Sequence, residues 1–310
     1  MSEAIAIEGL VKRYGDVVAV AGIDLTVPEG SVFAFLGANG AGKTTTVEVL
    51  EGIRRATAGT VRVLGLDPWT DGYRLHRSIG VIPQEFRFFD KITPAEAIHY
   101  YAELFHRRVD PGALLARVAL ADKDDARFEN LSGGQKQKLG LALALVNDPR
   151  VCFLDEPTTG LDPHARRGIW EVIRQLRSEG RTVFLTTHYL EEAEILADHV
   201  AIIHHGRVIA QGAPADIVRE RGRTDRLAIE GDPRVASLLA ERTGLSVRSE
   251  NGAIEVALRR PEDAVRVVEV LANSGLPWRR FAMVPDTLED VFIAMVGEMD
   301  EGVLRTEARA

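Results

Sequence analysis

Apolar and polar positions change rhythm three times along this chain. From residue 4 to about residue 80, short β-rich runs alternate with turn residues. Ala4–Ile7, Ile23–Val27 and Ser31–Leu36 read as strands, with Pro28-Glu29-Gly30 turning between the last two. Thr44–Gly52 reads as a helix, and Val61–Val63 and Ile79–Pro83 return to strand. Residues from about 93 to 147 are mostly helical in pattern. Thr93-Pro94-Ala95-Glu96 supplies a cap residue, a proline at the first helical position and a capping-box glutamate. Val151–Leu154 and Thr182–Thr186 are continuous apolar-rich runs, as expected of strands buried on both faces, and His164–Ser178 between them reads as a helix. The βαβ rhythm predicts a mainly parallel α/β core with an inserted helical subdomain at about 85–147.

After about Arg219 the pattern changes again. Arg221-Gly222-Arg223 reads as a linker. Strand (Arg226–Ile229), helix (Arg234–Arg242), two strands (Leu245–Arg248, Ala253–Leu258), helix (Asp263–Ser274) and strand (Trp278–Val284) follow, a βαββαβ order that predicts a small ferredoxin-like α+β domain at 224–300. A last helix is expected from about Leu288 to Met299, with 301–310 as a tail. Thr287 and Asp290 form a capping box, and Leu288, Val291, Phe292, Met295 and Val296 make one apolar stripe. That stripe fits burial inside its own domain or a dimer contact.

Composition narrows the function classes. The 310 residues allow two domains, and 45% hydrophobic residues support a sizeable core. Lys plus Arg is 38 and Asp plus Glu is 46, a net charge of −8, which disfavours a surface that wraps nucleic acid. The single cysteine, Cys152, excludes an internal disulfide and sits in an apolar run, where a buried, inert thiol is expected. The N-terminus lacks the pattern of a signal peptide, and no apolar run approaches the ~18–20 residues that cross a bilayer. A cytoplasmic protein is expected, with any membrane work done through a separate spanning partner.

The chemistry lies in five short elements. Gly37-Ala38-Asn39-Gly40-Ala41-Gly42-Lys43-Thr44 follows a strand and opens a helix, the context of a phosphate-binding P-loop. Its backbone amides can curl around phosphate at a positively polarised helix end. Lys43 can reach the β and γ phosphates, and the Thr44 hydroxyl can ligate Mg²⁺. Gly37, Asn39, Gly40, Ala41, Gly42, Lys43, Thr44 and Thr45 are therefore expected at bound nucleotide. Val151–Leu154 ends in Asp155-Glu156, placing two carboxylates at the carboxyl end of a buried strand. Asp155 suits the Mg²⁺ shell and Glu156 a general base. Leu131-Ser132-Gly133-Gly134-Gln135 precedes an amphipathic run, making a second anion site from one hydroxyl, bare amides and a helix dipole. Gln84 and His188 complete the order.

Together these elements resemble the nucleotide-binding subunit of ATP-binding cassette (ABC) transporters, over roughly residues 3–218. The resemblance implies a P-loop ABC cassette with antiparallel β and helical subdomains, ATP and Mg²⁺ as cofactors, and two cassettes closing on two nucleotides. It implies that Tyr14 stacks on adenine, that Gln84 reaches the metal and the water, that Asp162 is the D-loop aspartate, and that His188 contacts the γ-phosphate. Ser132, Gly133, Gly134 and Gln135 then serve the partner's nucleotide. No catalytic position departs from the family pattern, so an active ATPase is implied.

Phe86, Phe88, Phe89, Tyr100, Tyr101 and Phe105 crowd the region after Gln84, where family members dock a membrane partner; a plain helical core reads equally from the residues. Only about ninety residues separate Lys43 from Ser132, without sustained heptads, unlike the DNA-repair and chromosome-structure ATPases. Translation-factor relatives carry two cassettes, and this chain has one. The tail run Pro285-Asp286-Thr287-Leu288-Glu289-Asp290-Val291-Phe292 resembles ABC-2-type, daunorubicin-resistance-like exporters rather than importers. The expectation is therefore a bacterial efflux ATPase, a homodimer on the cytoplasmic membrane face with an ABC-2-type transmembrane permease and no nucleic-acid partner.

Overall fold

A computed structural model describes residues 2–221, 226–250, 253–284 and 286–307. The chain divides into two compact units, Met1–Pro214 and Ala215–Ala310.

The first unit opens with two long strands, β1 (Glu3–Tyr14) and β2 (Val17–Pro28), of which the sequence pattern marked only the first part of β1 and the last part of β2. Next come β3 (Val32–Leu36), α1 (Lys43–Leu50), β4 (Ala58–Val63), the short α2 (Gly72–His76) and β5 (Ile79–Ile82). The helical stretch holds α3 (Pro94–Leu104), α4 (Pro111–Arg117) and α5 (Gly133–Ala144). Thr93 caps α3 with the expected capping box to Glu96. The chain then alternates through β6 (Val151–Asp155), α6 (Pro163–Ser178), β7 (Thr182–Thr187), α7 (Leu190–Leu196), β8 (His199–His204) and β9 (Arg207–Gly212).

These strands form two sheets. One is antiparallel in the order β2-β1-β4. The other runs β5-β6-β7-β3-β8-β9, parallel except for the edge strand β9. Every residue of β3, β6 and β7 is buried, which is why these strands read as unbroken apolar runs. Phe184 of β7 packs against Phe33 (centroids 5.5 Å apart), Phe35 (5.7 Å) and Phe153 (5.8 Å), locking three strands by shape. That packing fixes a register in which Leu36 faces Thr187 and Asp155 faces Thr186. A one-residue slip would turn every side chain to the opposite face, so the aromatic core also sets the chemistry at the strand ends.

Helix α8 (Pro214–Arg221) starts at the boundary, and the second unit continues through β10 (Arg226–Gly231), α9 (Arg234–Thr243), β11 (Val247–Glu250), β12 (Ala253–Ala257), α10 (Pro261–Ala272), β13 (Trp278–Val284) and α11 (Leu288–Glu307). Its sheet is fully antiparallel in the order β11-β12-β10-β13. This is the ferredoxin-like arrangement expected from the βαββαβ pattern. Leu227, Ile229, Ile254 and Val256 pack with Val235, Leu239, Val267 and Leu271 in its core.

One detail differs from the sequence reading. Helix α11 runs on to Glu307, so most of 301–310 is helical and not tail. Its capping box is present, with Thr287 N donating to Asp290 Oδ2 (2.9 Å) and Asp290 N to Thr287 Oγ1 (3.2 Å). Of its stripe, Leu288 and Val291 are buried, while Phe292, Met295 and Val296 are half-buried. The linker positions Gly222 and Arg223, and Pro285 of the exporter-like run, lie outside the described residues.

Candidate active site

Three parallel strands deliver their following loops to one edge of the buried sheet. The P-loop leaves β3, Asp155-Glu156 closes β6, and His188 follows β7. Gly42 has φ +110°, and a Cβ there would stand 2.5 Å from Ala19 O. A Cβ on Gly37 would meet Ile203 O at the same distance. Both glycines are thus demanded by neighbouring backbone as well as by room for phosphate. Gly206 N donates to Ala41 O (3.0 Å) and Ala21 N to Gly206 O (2.8 Å), so the β8–β9 turn braces the loop against β2.

Lys43 is 5% exposed. Its Nζ donates to Gly37 O (2.8 Å) and pairs with Glu156 Oε1 at 3.2 Å. Glu156, equally buried, has φ +47°, a left-handed conformation that costs a non-glycine residue energy and that clusters at functional sites. The turn aims its carboxylate back across the strand ends. Oε2 accepts from Thr159 Oγ1 (3.0 Å) and Gln84 Nε2 (3.4 Å), and His188 Nδ1 lies 3.1 Å away. One carboxylate therefore gathers the P-loop lysine, Gln84 and His188, residues distant in sequence.

Asp155 sits one residue earlier. The Thr186 hydroxyl donates to its Oδ1, and Glu156 N donates to Thr186 Oγ1 (3.0 Å) and Thr186 O (3.1 Å). Burial pushes the Asp155 carboxyl up, while hydrogen bonds from Thr186 and Thr44 oppose the rise. Thr44, Asp155 and Gln84 present oxygen donors of the kind that suit Mg²⁺. Among the described residues no group of three His, Cys, Asp or Glu side chains could hold a metal unaided, so phosphate and water would complete the shell.

Tyr14 ends β1 and is 39% exposed. Lys12 Nζ stands 5.0 Å and the Arg54 guanidinium 5.5 Å from its ring centroid. Asn39, Gly40 and Thr44 are exposed, and Thr45 is half-buried.

The remaining candidates gather elsewhere. Ser132 caps α5, its Oγ accepting from Gln135 N (3.3 Å), while Gln135 Oε1 accepts from Ser132 N (2.9 Å). The Gln135 side chain is thereby committed to the cap, and the Ser132 hydroxyl keeps its proton to donate outward. A Cβ on Gly134 would strike Ala165 at 2.7 Å, so α5 and α6 approach closely at this end. Asp162 caps α6, accepting from His164 N (2.9 Å) and Ala165 N (3.0 Å), and those amides hold its carboxyl below the usual range. Among the described residues, none of the hydrogen bonds or ion pairs around Lys43 and Glu156 reaches Ser132–Gln135 or Asp162.

Sequence reading passed over Thr159 and Thr186. Threonine is common in strands and turns, and only the β6–β7 register shows that Thr186 serves two carboxylate residues. The aromatic region divides between the two readings. Phe86 meets Phe128 edge-on (5.8 Å) and Phe88 touches five rings, whereas Phe89 and Tyr100 are exposed. Cys152 is buried and its thiol is pushed up to about 12, as expected of an inert core cysteine.

The ABC transporter family pattern matches residues 20–159. The Nod factor export ATP-binding protein I of Ralstonia nicotianae is 37% identical over 302 residues, covering 94% of each chain. The chain belongs to the ABC transporter family. It is an ATP-binding and ATP-hydrolysing cassette. The cassette is also 35% identical to the daunorubicin/doxorubicin resistance ATP-binding protein DrrA of Streptomyces peucetius, over 96% of this chain and 93% of that one. The pattern of the DrrA1-3-like C-terminal domain of ATP-binding proteins matches residues 212–296. Among solved structures, an ATP-binding subunit of an ABC transporter superposes with a TM-score of 0.64 at 27% identity, covering 71% of this chain and 93% of its own. The cassette cbiO1 of Clostridium perfringens gives 0.62 at 29% identity, covering 71% and 92%.

Proposed function

We propose that this cassette powers export through a separate ABC-2-type membrane permease, working as a homodimer peripheral to the cytoplasmic face of a bacterial membrane. The observation that carries the dimer is the division of the site. Lys43, Asp155, Glu156, Gln84 and His188 converge, while the Ser132 hydroxyl and the bare amides of α5 lie outside that cluster. A second copy would bring its α5 end to the first copy's P-loop and complete the cradle. Export is supported by relatives named for Nod factor export and daunorubicin resistance, matched nearly end to end. No described helix is long and apolar enough to cross a membrane, which fits a conduit supplied by another chain. Exposed Phe89 and Tyr100 are suitable anchors for it.

The chemistry follows from the charges at the site. Tyr14 stacks on adenine, and the P-loop amides with Lys43 hold the phosphates. Thr44, Asp155 and Gln84 would hold Mg²⁺, which neutralises charge developing on the phosphate oxygens. When phosphate takes the Lys43 ammonium, the Glu156 carboxylate is released from that ion pair. It then accepts a proton from the attacking water, while His188 and Gln84 orient the carboxylate and the γ-phosphate. Bond formation from water oxygen to phosphorus accompanies departure of ADP, and the bridging contacts across the dimer are lost.

Pull-down of tagged Glu156→Gln protein from detergent-solubilised membranes with MgATP tests this reading. Co-purification of a multi-spanning protein with two cassettes per complex supports it. Recovery alone, or with ribosomes or DNA-bound proteins, overturns export and the permease.

A further inference from the structure

The most deeply buried carboxyl in the first unit lies outside this machinery. Glu192, on α7, is 0% exposed. It follows His188 by one helical turn. Trp170 Nε1, from α6, donates to Glu192 Oε1 at 2.8 Å. One turn earlier on α6, the Arg166 guanidinium lies 4.5 Å from the centre of the Tyr189 ring, and that ring lies tilted against His188 with centroids 4.2 Å apart. Helix α6 thus grips the His188 turn through two side chains four residues apart, which share one face. Thr187 Oγ1 accepts from Tyr189 N (3.0 Å), leaving its proton for Glu192.

Glu192 also points toward the loop after Glu156. Thr158 is 1% exposed, and among the described residues neither its Oγ1 nor Glu192 Oε2 meets a hydrogen-bond partner. Thr158 is still near enough, with Thr187 and Trp170, to oppose the rise that burial imposes on the Glu192 carboxyl. A buried hydroxyl and a buried carboxylate oxygen left unpaired cost free energy that a small shift would recover. Thr158 begins the loop that carries Thr159, a donor to Glu156, and Asp162, the cap of α6.

We propose that Glu192 is a positioning residue that couples the His188 turn to the 158–162 loop. It holds α6 and the His188 turn as one body through Trp170 and Thr187. A displacement of the loop closes the Thr158–Glu192 hydrogen bond and ties the loop to that body, so the contacts that His188 and Thr159 make with Glu156 are held or released together. This inference rests on the roles given above to Glu156 and His188.

The experiment is steady-state ATPase kinetics of Glu192→Gln, which keeps an acceptor for Trp170, alongside Thr158→Val, which removes the hydroxyl at constant shape. Both should lower kcat about tenfold, with KM for MgATP within about twofold, the signature of a contact made only on the way to the transition state. The decisive readout is coupling. Thr158→Val and His188→Ala should be non-additive in kcat by about threefold or more in the native background and additive once Glu192 is Gln. A structural brace would leave that coupling unchanged, and either persistence of the coupling or native kcat in Glu192→Gln would overturn the proposal. Glu156→Gln run in parallel separates failures: if it retains turnover, the underlying site reading fails; if it is inactive while Glu192→Gln is native, only this inference fails.

Discussion

Glu51 closes α1 and is 5% exposed, although it is a carboxylic acid. Burial, then the negative charges of Asp155 and Glu48, push its carboxyl from its ordinary 4.5 up to about 8. The folded state therefore keeps a proton that the unfolded chain has released, across the window from about pH 4.5 to about pH 8. Stability falls as pH rises through that window, because the unfolded state binds fewer protons than the folded one. At about 1.36 kcal/mol for each tenfold change in proton affinity, the ceiling on the loss is about 5 kcal/mol above pH 8. Glu51→Gln has nearly the same shape and no charge at any pH. The variant should match the native protein at pH 5 and exceed it progressively to a plateau above pH 8. With about 2–4 °C per kcal/mol for a unit of this size, a gain of about 4 °C or more in Tm is expected at pH 8.5. The assay is thermal or urea unfolding of nucleotide-free protein at unit pH steps from 5 to 9. A difference independent of pH, or a variant less stable than native at pH 9, would refute the reasoning.

Glu156→Gln keeps the acceptor for Thr159 but cannot take a proton, so ATP turnover should fall by about a hundredfold or more while MgATP traps a dimer, read by size-exclusion chromatography. Lys43→Ala leaves Glu156 buried without its cation, and should cost about 3–5 kcal/mol in urea unfolding as well as ATP affinity, with both losses reduced in Lys43→Ala/Glu156→Gln. Thr186→Val removes the hydroxyl shared by Asp155 and Glu156 N, and should lower kcat and destabilise the protein by about 1–3 kcal/mol; retention of both would remove Thr186 from the site. Tyr14→Ala should raise KM for ATP while changing kcat little, and an unchanged KM would detach the ring from adenine binding.

Local chemistry was legible before any coordinates. The glycines of 37–42, the cap residues Thr93 and Thr287, and the apolar runs of β3, β6 and β7 each state their conformation through nearest-neighbour physics. The βαββαβ order of the second unit was readable for the same reason, since strand and helix periods differ. Periodicity did not give the full lengths of β1 and β2, because most residues of Glu8–Tyr14 and Val17–Gly22 are exposed or half-buried and Gly9 and Gly22 interrupt the alternation. It also stopped α11 too early, where no strong breaker ends the pattern near Met299.

Tertiary structure alone decided which distant residues meet. Only the Phe33–Phe184–Phe153 packing and the register it enforces set Thr186 opposite Asp155. Only the left-handed turn at Glu156 brings one carboxylate to Lys43, Gln84, Thr159 and His188. The sequence singles out neither Glu51 nor Glu192; burial, a property of the whole fold, makes the first a proton-holding acid and the second a buried anchor for Trp170. Sequence determined the parts because their causes are local. Structure determined their charge states and partners because desolvation and contact are non-local.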